Sequence, residues 1–487
     1  MTGLSLTHSP ETLSFVLIDF KGGAAFAPLA GLPHVAGLIT NLVDDQAMIS
    51  RVHAALLGEQ QRRQQMLRDA GDVDSIREYQ TRRAAGATKP DGTQLEPMPY
   101  LMIIVDEFSE LLSGRPELVD LFVQIGRVGR SLGMHLLMAT QRLEEGRLRG
   151  LDSHLSYRIC LRTFSASESR AVIGTTDAYQ LPSIPGSAYL KVGESVYLRL
   201  RVAHVSAAYL TSAQRTEAAG PIRTLVPFEV GPLPDSAVGP AEAEPAEQET
   251  TERSGPTELQ VLVQQMKPLA APAHQVWLPP LPPVVPLDLL LGAPGVRPAR
   301  GMCAPEWAGG DLMVPVGVLD RPLQQDQQLL MVNFGGTQSN LALVGAPQTG
   351  RSTLLRTMML SAMLTHTPDE MQFYCLDFGG GTLYPYADVP HVGNVAGRSD
   401  DELVRRTLSE IHSLIGERER LFRSMGVDSV AEFRARRAAG RLPAGTRTAD
   451  VFLLIDNWGA LRGTVEEADA LVTEIAPPAS ASASTWC

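Results

Sequence analysis

The sequence predicts two tandem α/β modules, each a mostly parallel sheet with helices on both faces. Three observations carry that reading. Blocks of sequence recur in the same order in the two halves, short apolar runs alternate with amphipathic ones inside each half, and a Pro/Ala/Glu-rich stretch separates the halves.

The repeat is the strongest of the three. Leu6-Thr-His-Ser-Pro-Glu11, Phe15–Gly23 and Leu32-Pro-His-Val35 match Leu364-Thr-His-Thr-Pro-Asp369, Phe373–Gly381 and Val389-Pro-His-Val392. Asp44-Asp45 then matches Asp400-Asp401, Arg82–Gly86 matches Arg436–Gly440, and Leu101–Glu107 matches Val451–Asn457. The offset drifts only from 358 to 350 residues, as small loop deletions between two copies of one domain require. Within each copy, runs such as Phe15–Ile18, Leu101–Val105 and Leu136–Ala139 are short and bounded by Gly or charge, as strands buried on both faces are. Ala47–Ala70 and Glu402–Met425 carry helical amphipathic patterns between them. Alternating strands and helices give a mostly parallel sheet whose ligands sit at the carboxyl ends of the strands.

The expected boundaries are a first module over 1–210, a linker over 211–301, a second module over 302–476 and a tail over 477–487. In the linker, Ala237–Gly255 is acidic and nearly free of large apolar residues, so it should lack fixed structure. Leu259–Met266 reads as a short helix. Trp277–Val284, rich in proline, reads first as a stiff extended spacer, with docking on a neighbouring surface as the alternative. The Ala/Ser-rich tail has no strand pattern and is expected to be disordered.

Composition narrows the function. The net charge of −12 argues against a broad nucleic-acid surface, which needs clustered Lys and Arg. No apolar run approaches the roughly 18 residues of a membrane span. The four scattered cysteines form no C-x-x-C pair and read as reduced thiols.

The second copy carries the clearest chemistry. Leu341–Val344 reads as a buried strand running into Gly345-Ala-Pro-Gln348-Thr349-Gly350-Arg351-Ser352-Thr353, followed by a helical pattern from Leu354. Strand, glycine-framed loop and helix form the context of a P-loop (Walker A), whose backbone N–H groups wrap phosphates at a helix N-terminus. Ser352 stands where the Mg²⁺-binding hydroxyl belongs. Arg351 replaces the usual lysine, keeping the charge but broadening the head group. Asp456, ending the apolar run Val451–Ile455, fits the Walker B acid that orders Mg²⁺. Asn457 follows where a RecA-like ATPase has its water-polarising glutamate, and an amide cannot accept that proton. This copy therefore reads as binding ATP–Mg²⁺ with weak hydrolysis.

The first copy has the complementary set. Asp106-Glu107 is the full acidic pair, Gln141 ends a Thr-Gln strand suited to sensing a γ-phosphate, and Arg130 is a candidate arginine finger for a neighbouring subunit. Its P-loop is expected to fall before Met1, and the second copy is expected to stop short of its sensor half.

Val105–Leu112, Ile125–His135, Ala139–Gly150, Leu155–Ile159, Ala178–Pro182 and Pro390–Gly393 resemble the FtsK/SpoIIIE class, and more narrowly the EccC ATPases of actinobacterial type VII (ESX) secretion. The resemblance implies tandem RecA-like P-loop modules at the cytoplasmic face of a membrane complex. It also implies secretion-machine subunits and WXG100 helical-hairpin substrates as partners, with homo-oligomer formation. It makes the chain an ATP-binding component of a protein-export motor. The alternatives are a DNA translocase on the same fold and a non-hydrolysing nucleotide- or peptide-binding scaffold.

Overall fold

The computed structural model describes residues 1–20, 22, 25–40, 42, 45–109, 116–141, 150, 154–203, 205, 207–211, 255–298, 300–307, 312–335, 340–475 and 484–486. The acidic linker segment up to residue 254, the stretch 142–149 and most of the tail lie outside them. The chain divides into unit 1, Met1–Pro279 with Arg321–Asp326, and unit 2, Pro280–Asp320 with Gln327–Cys487.

Unit 1 opens with helix α1 (Thr2–Thr7) and strands β1 (Leu13–Asp19) and β2 (Val35–Ile39). Helices α2 (Gln46–Asp69) and α3 (Ile76–Ala84) lead to β3 (Tyr100–Asp106), and α4 (Pro116–Leu132) leads to β4 (Met134–Met138). The four strands form a parallel sheet in the order β2-β1-β3-β4. Every residue of β1 is buried, which explains why its sequence is a continuous apolar run rather than an alternating one. Beyond β4, strands β5 (Tyr157–Leu161), β6 (Ser187–Val192) and β7 (Val196–Arg201) form an antiparallel sheet with helix α5 (Ala166–Ile173) packed against it.

Within the expected linker, the chain from Gly255 to Pro279 belongs to unit 1, so at Trp277 the docking alternative holds rather than the stiff spacer. Helix α6 (Glu258–Met266) forms over the predicted segment, and Val263, Ala273, Val276 and Trp277 are buried in unit 1. The backbone N–H groups of Val276 and Trp277 both donate to the Ala36 carbonyl on β2, and the Arg51 guanidinium lies 5.0 Å from the Trp277 ring centroid. Apolar side chains among the prolines had a surface to bury against, and that outweighs the stiffness of the segment.

Unit 2 begins with helix α7 (Leu287–Leu291), the small hairpin β8 (Gly295–Arg297) and β9 (Gly301–Cys303), and the two-stranded sheet of β10 (Met313–Arg321) and β11 (Asp326–Asn333). Helix α8 (Arg351–Thr365) precedes β12 (Met371–Asp377) and β13 (Val392–Gly397). Helices α9 (Asp401–Met425) and α10 (Val430–Ala438) lead to β14 (Asp450–Asp456), which α11 (Trp458–Thr464) and α12 (Ala468–Ile475) follow. The sheet order is β13-β12-β14-β15, all parallel, where β15 is Ser484–Trp486.

The repeat is visible in the coordinates residue by residue. The pairings Asp19↔Asp106 and Asp377↔Asp456 close the two sheets at their carboxyl ends, and the register shifts at Phe15/Val16 and again at Phe373/Tyr374. His34 Nε2 meets the His8 carbonyl at 2.7 Å, and His391 Nε2 meets the His366 carbonyl at 2.8 Å.

Two local expectations fail in unit 2. Leu341–Val344 is not a strand: among the described residues it pairs with none, and Val344 is 96% exposed. An apolar run becomes a buried strand only where a neighbour supplies its ladder of hydrogen bonds. The tail is not wholly irregular, because Ser484–Trp486 adds to the β14 edge. An exposed sheet edge is a template that a short extended segment can satisfy. No helix among the described residues is long and apolar enough to cross a membrane.

Candidate functional site

In unit 2 the two predicted motifs converge. A cavity of about 620 Å³ is lined by Leu341–Gly345, Arg351 and Leu355 together with Ile455–Gly459, Val472 and Thr473. The glycine loop brings Gly345 and Arg351 to this wall, and β14 brings Asp456 and Asn457. Gln348, Thr349, Gly350, Ser352 and Thr353 complete the loop and first helical turn but are not among the lining residues.

Local backbone chemistry sets the loop. Gly350 is the N-cap of α8 at φ 95°, a left-handed conformation that costs a residue with a Cβ about 1–2 kcal/mol. Gln348 also adopts positive φ, and the Thr349 hydroxyl donates to the Ala346 carbonyl at 2.8 Å. The result is a turn that delivers the free N–H groups of a 15-residue helix to solvent at Arg351, where the helix dipole favours an anion.

Asp456 is buried, and its Oδ2 has no hydrogen-bond partner among the described residues. A buried carboxylate oxygen without a donor is costly unless a cation completes it. Gly379 lies so close that a Cβ there would collide with the Asp456 carboxylate. A single buried carboxylate suits Mg²⁺, a hard ion bound through one or two carboxylates, waters and substrate phosphates rather than by an all-protein cage. Among the described residues no group of three or more His, Cys, Asp or Glu side chains is placed to hold a metal.

Two neighbours, Asp377 and Trp458, escaped the sequence reading. Asp377 Oδ1 accepts from the Gly379 and Gly381 N–H groups, and its Oδ2 accepts from Leu383 N–H at 2.7 Å, which fixes the glycine turn beside Asp456. The signal was present in the repeated Asp-Phe-x-Gly-Gly block of both halves. Trp458, at the head of α11, lines the cavity and gave no sequence signal.

In unit 1, Glu107 is buried and its Oε1 accepts the Gln141 N–H at 2.9 Å, so the structure brings the acidic pair and the sensor residue together. The Glu107 N–H donates to Asp106 Oδ1 at 3.1 Å. Arg130 is exposed in the last turn of α4, which precedes β4. It therefore lies at the amino end of the strands, opposite Asp106 and Gln141, and does not join their cluster. Glu107 and Asn457 share one backbone conformation, at φ 55° and 68°.

A family model described as the FtsK/SpoIIIE family matches residues 1–145 and 306–477. The chain belongs to the FtsK/SpoIIIE family. The two matched spans hold Asp106, Glu107 and Gln141 in one and the glycine loop with Asp456 in the other, so the repeat is a pair of FtsK/SpoIIIE modules. The chain is 47% identical over 460 residues to the ESX-4 secretion system protein EccC4 of Mycobacterium tuberculosis, covering 94% of this chain and 35% of that protein. It is 45% identical over 476 residues to the ESX secretion system protein EccC of Thermomonospora curvata, covering 97% of this chain and 35% of that protein. It thus spans about a third of the length of these relatives. The solved cytoplasmic domain of the Thermomonospora curvata type VII secretion ATPase EccC superposes with a TM-score of 0.81 at 44% identity, covering 99% of this chain and 50% of that one.

Proposed function

We propose that this chain is an ATP-binding component of a type VII protein-export motor, acting at the cytoplasmic face of a membrane complex. Unit 2 binds ATP with Mg²⁺: backbone N–H groups of Gly345–Thr353 and the Arg351 guanidinium hold the phosphates, while Ser352 and Asp456 hold the ion. Bound Mg²⁺ neutralises phosphate charge. Asn457 orients a water but takes no proton from it, so unit 2 turns over slowly. In unit 1, Asp106 and Glu107 are the acids of a hydrolytic site, Gln141 senses the γ-phosphate, and Arg130 reaches the nucleotide of a neighbouring subunit in a homo-oligomer. The cargo is a small helical hairpin of the WXG100 type.

The observation that carries this reading is the buried Asp456 Oδ2, without a partner among the described residues, beside a cavity that Gly345 and Arg351 of the glycine loop also line. Calorimetry of Mg²⁺–ATP binding tests it. Binding is expected in the native chain and is expected to vanish in Asp456→Ala; equal binding by both proteins would refute the assignment.

A further inference from the structure

We propose that Gly379 sets the metal affinity of unit 2 by leaving the Asp456 carboxylate its seat, and that Asp377 is the positioning residue that holds Gly379 against it. This rests on the reading of Asp456 as the acid that takes Mg²⁺. Asp377 and Asp456 end the neighbouring strands β12 and β14 and pair in register. Asp377 is buried, and three backbone N–H groups donate to it: Gly379 and Gly381 to Oδ1 at 3.2 and 3.0 Å, and Leu383 to Oδ2 at 2.7 Å. Hydrogen bonds to an ionised carboxylate are among the strong ones, so this group clamps the turn that follows β12. With both oxygens engaged, its part is to hold the turn rather than to take a metal.

The turn is pinned from outside as well. The Phe378 N–H donates to the Asp456 carbonyl at 3.0 Å, and the Arg398 guanidinium donates to the Phe378 carbonyl at 3.1 Å. The side chains of Phe378 and Leu383 are buried on either side of the glycines. Gly379 is thereby pressed against the acid. A Cβ on it would stand 2.8 Å from Asp456 Oδ1 and closer still to Cγ and Oδ2. Atoms do not approach so closely, so any side chain at this position turns the carboxylate away from where it now lies.

An independent observation is that the backbone does not ask for this glycine. Gly380 and Gly381 take φ of 126° and 82°, where glycine alone is at ease, and both recur in the first copy as Gly22 and Gly23. Gly379 is not among the residues at positive φ, and the first copy has Lys21 in its place. There the Asp19 carboxylate still accepts the Gly22 N–H, at 3.2 Å, so the bond from aspartate to turn does not depend on glycine at this place. What requires glycine at 379 is the carboxylate it touches. The clash falls on the free end of a side chain rather than on backbone, so Gly379→Ala should keep the fold and lose the seat.

Calorimetry of ATP binding to the whole chain, once in Mg²⁺ and once in EDTA, tests this. The ratio of the two affinities isolates the metal's contribution, because the glycine loop is the same in both. Gly379→Ala should reduce the gain from Mg²⁺ by about tenfold or more, as loss of a group that orients a metal ligand does, and leave the affinity in EDTA at its native value. Asp377→Asn, which sets an amide donor among N–H groups that need an acceptor, should reduce the gain too and speed exchange of the Leu383 amide hydrogen. An undiminished gain in Gly379→Ala would overturn the proposal. So would an equal loss in Mg²⁺ and in EDTA, the mark of a merely structural role. If Gly379→Ala does not fold, Asp377→Asn decides by the same two affinities. Asp456→Ala separates this proposal from the reading beneath it. A gain that persists in Asp456→Ala, or a native chain with no gain, refutes Asp456 as the metal's acid and Gly379 with it. A gain lost in Asp456→Ala but kept in Gly379→Ala refutes the role of Gly379 alone.

Discussion

Glu59 is fully buried yet stays charged. Burial pushes its carboxyl upward, but Arg63 and Arg62 more than offset this and hold it at about 2, against an ordinary 4.5. Gln325 Nε2 donates to the same carboxylate at 3.0 Å while its Oε1 accepts from His274 Nε2 at 2.7 Å, so the group is closed into a network inside unit 1. Because its folded value is depressed, Glu59 contributes stability in full above about pH 4.5, and this is lost as pH falls toward about 2. Removing the charge leaves Arg63 buried and uncompensated, and such losses run to about 3–5 kcal/mol. Glu59→Gln should therefore lower the unfolding free energy by about 3 kcal/mol at pH 7. Urea titrations at pH 7 and pH 3 measure both effects: the gap between native and variant proteins should narrow at the lower pH. Among the described residues Cys160, Cys303 and Cys375 are free and buried, and burial pushes the Cys375 thiol up to about 12.

At the scale of elements, the sequence made strands and helices legible wherever the repeat supplied a second copy to compare. β1 and β12, β3 and β14, and α2 and α9 were all readable because the same burial pattern had to be written twice. What it concealed were pairings that depend on a neighbour. Leu341–Val344 has the composition of a buried strand, but composition cannot say whether a partner strand is there to receive it. Trp277–Val284 read first as a stiff spacer because proline dominates it, while burial of the apolar side chains Val263, Ala273, Val276 and Trp277 ties the chain up to its first residue into unit 1. Trp277 is the largest of them, and Trp277→Ala should cost unit 1 about 3 kcal/mol through the cavity it leaves. A fall in the thermal midpoint measures this; an unchanged midpoint would mean that the segment rests on unit 1 without stabilising it.

For the molecule as a whole, the division of chemistry between the modules makes a kinetic statement. Unit 1 holds Asp106, Glu107 and Gln141, unit 2 holds the glycine loop and Asp456, and neither shows the other's set among its described residues. Steady ATP hydrolysis by the purified chain should be close to the assay background. Sustained turnover that disappears in Glu107→Gln would instead place a complete site in unit 1. The glycine loop, the acid after the strand and the Thr-Gln ending were all legible, because each is a short motif whose chemistry constrains residue type. Asp377 and Trp458 were not, because their roles depend on a turn and a cavity wall that only the folded backbone brings beside Asp456.

The left-handed backbone shared by Glu107 and Asn457 has a consequence for how the two modules can be interconverted. Asparagine tolerates that conformation well, whereas glutamate does not, at a difference of about 1 kcal/mol. Unit 1 therefore holds its carboxylate against a standing conformational tension, and unit 2 is relaxed at the same point. Restoring the acid by Asn457→Glu should lower the stability of unit 2 by about 1 kcal/mol, readable in a denaturant melt. Exchanging glutamate for asparagine at this position runs downhill for the fold and the reverse runs uphill, so under the proposed function the loss of a base here would act as a ratchet.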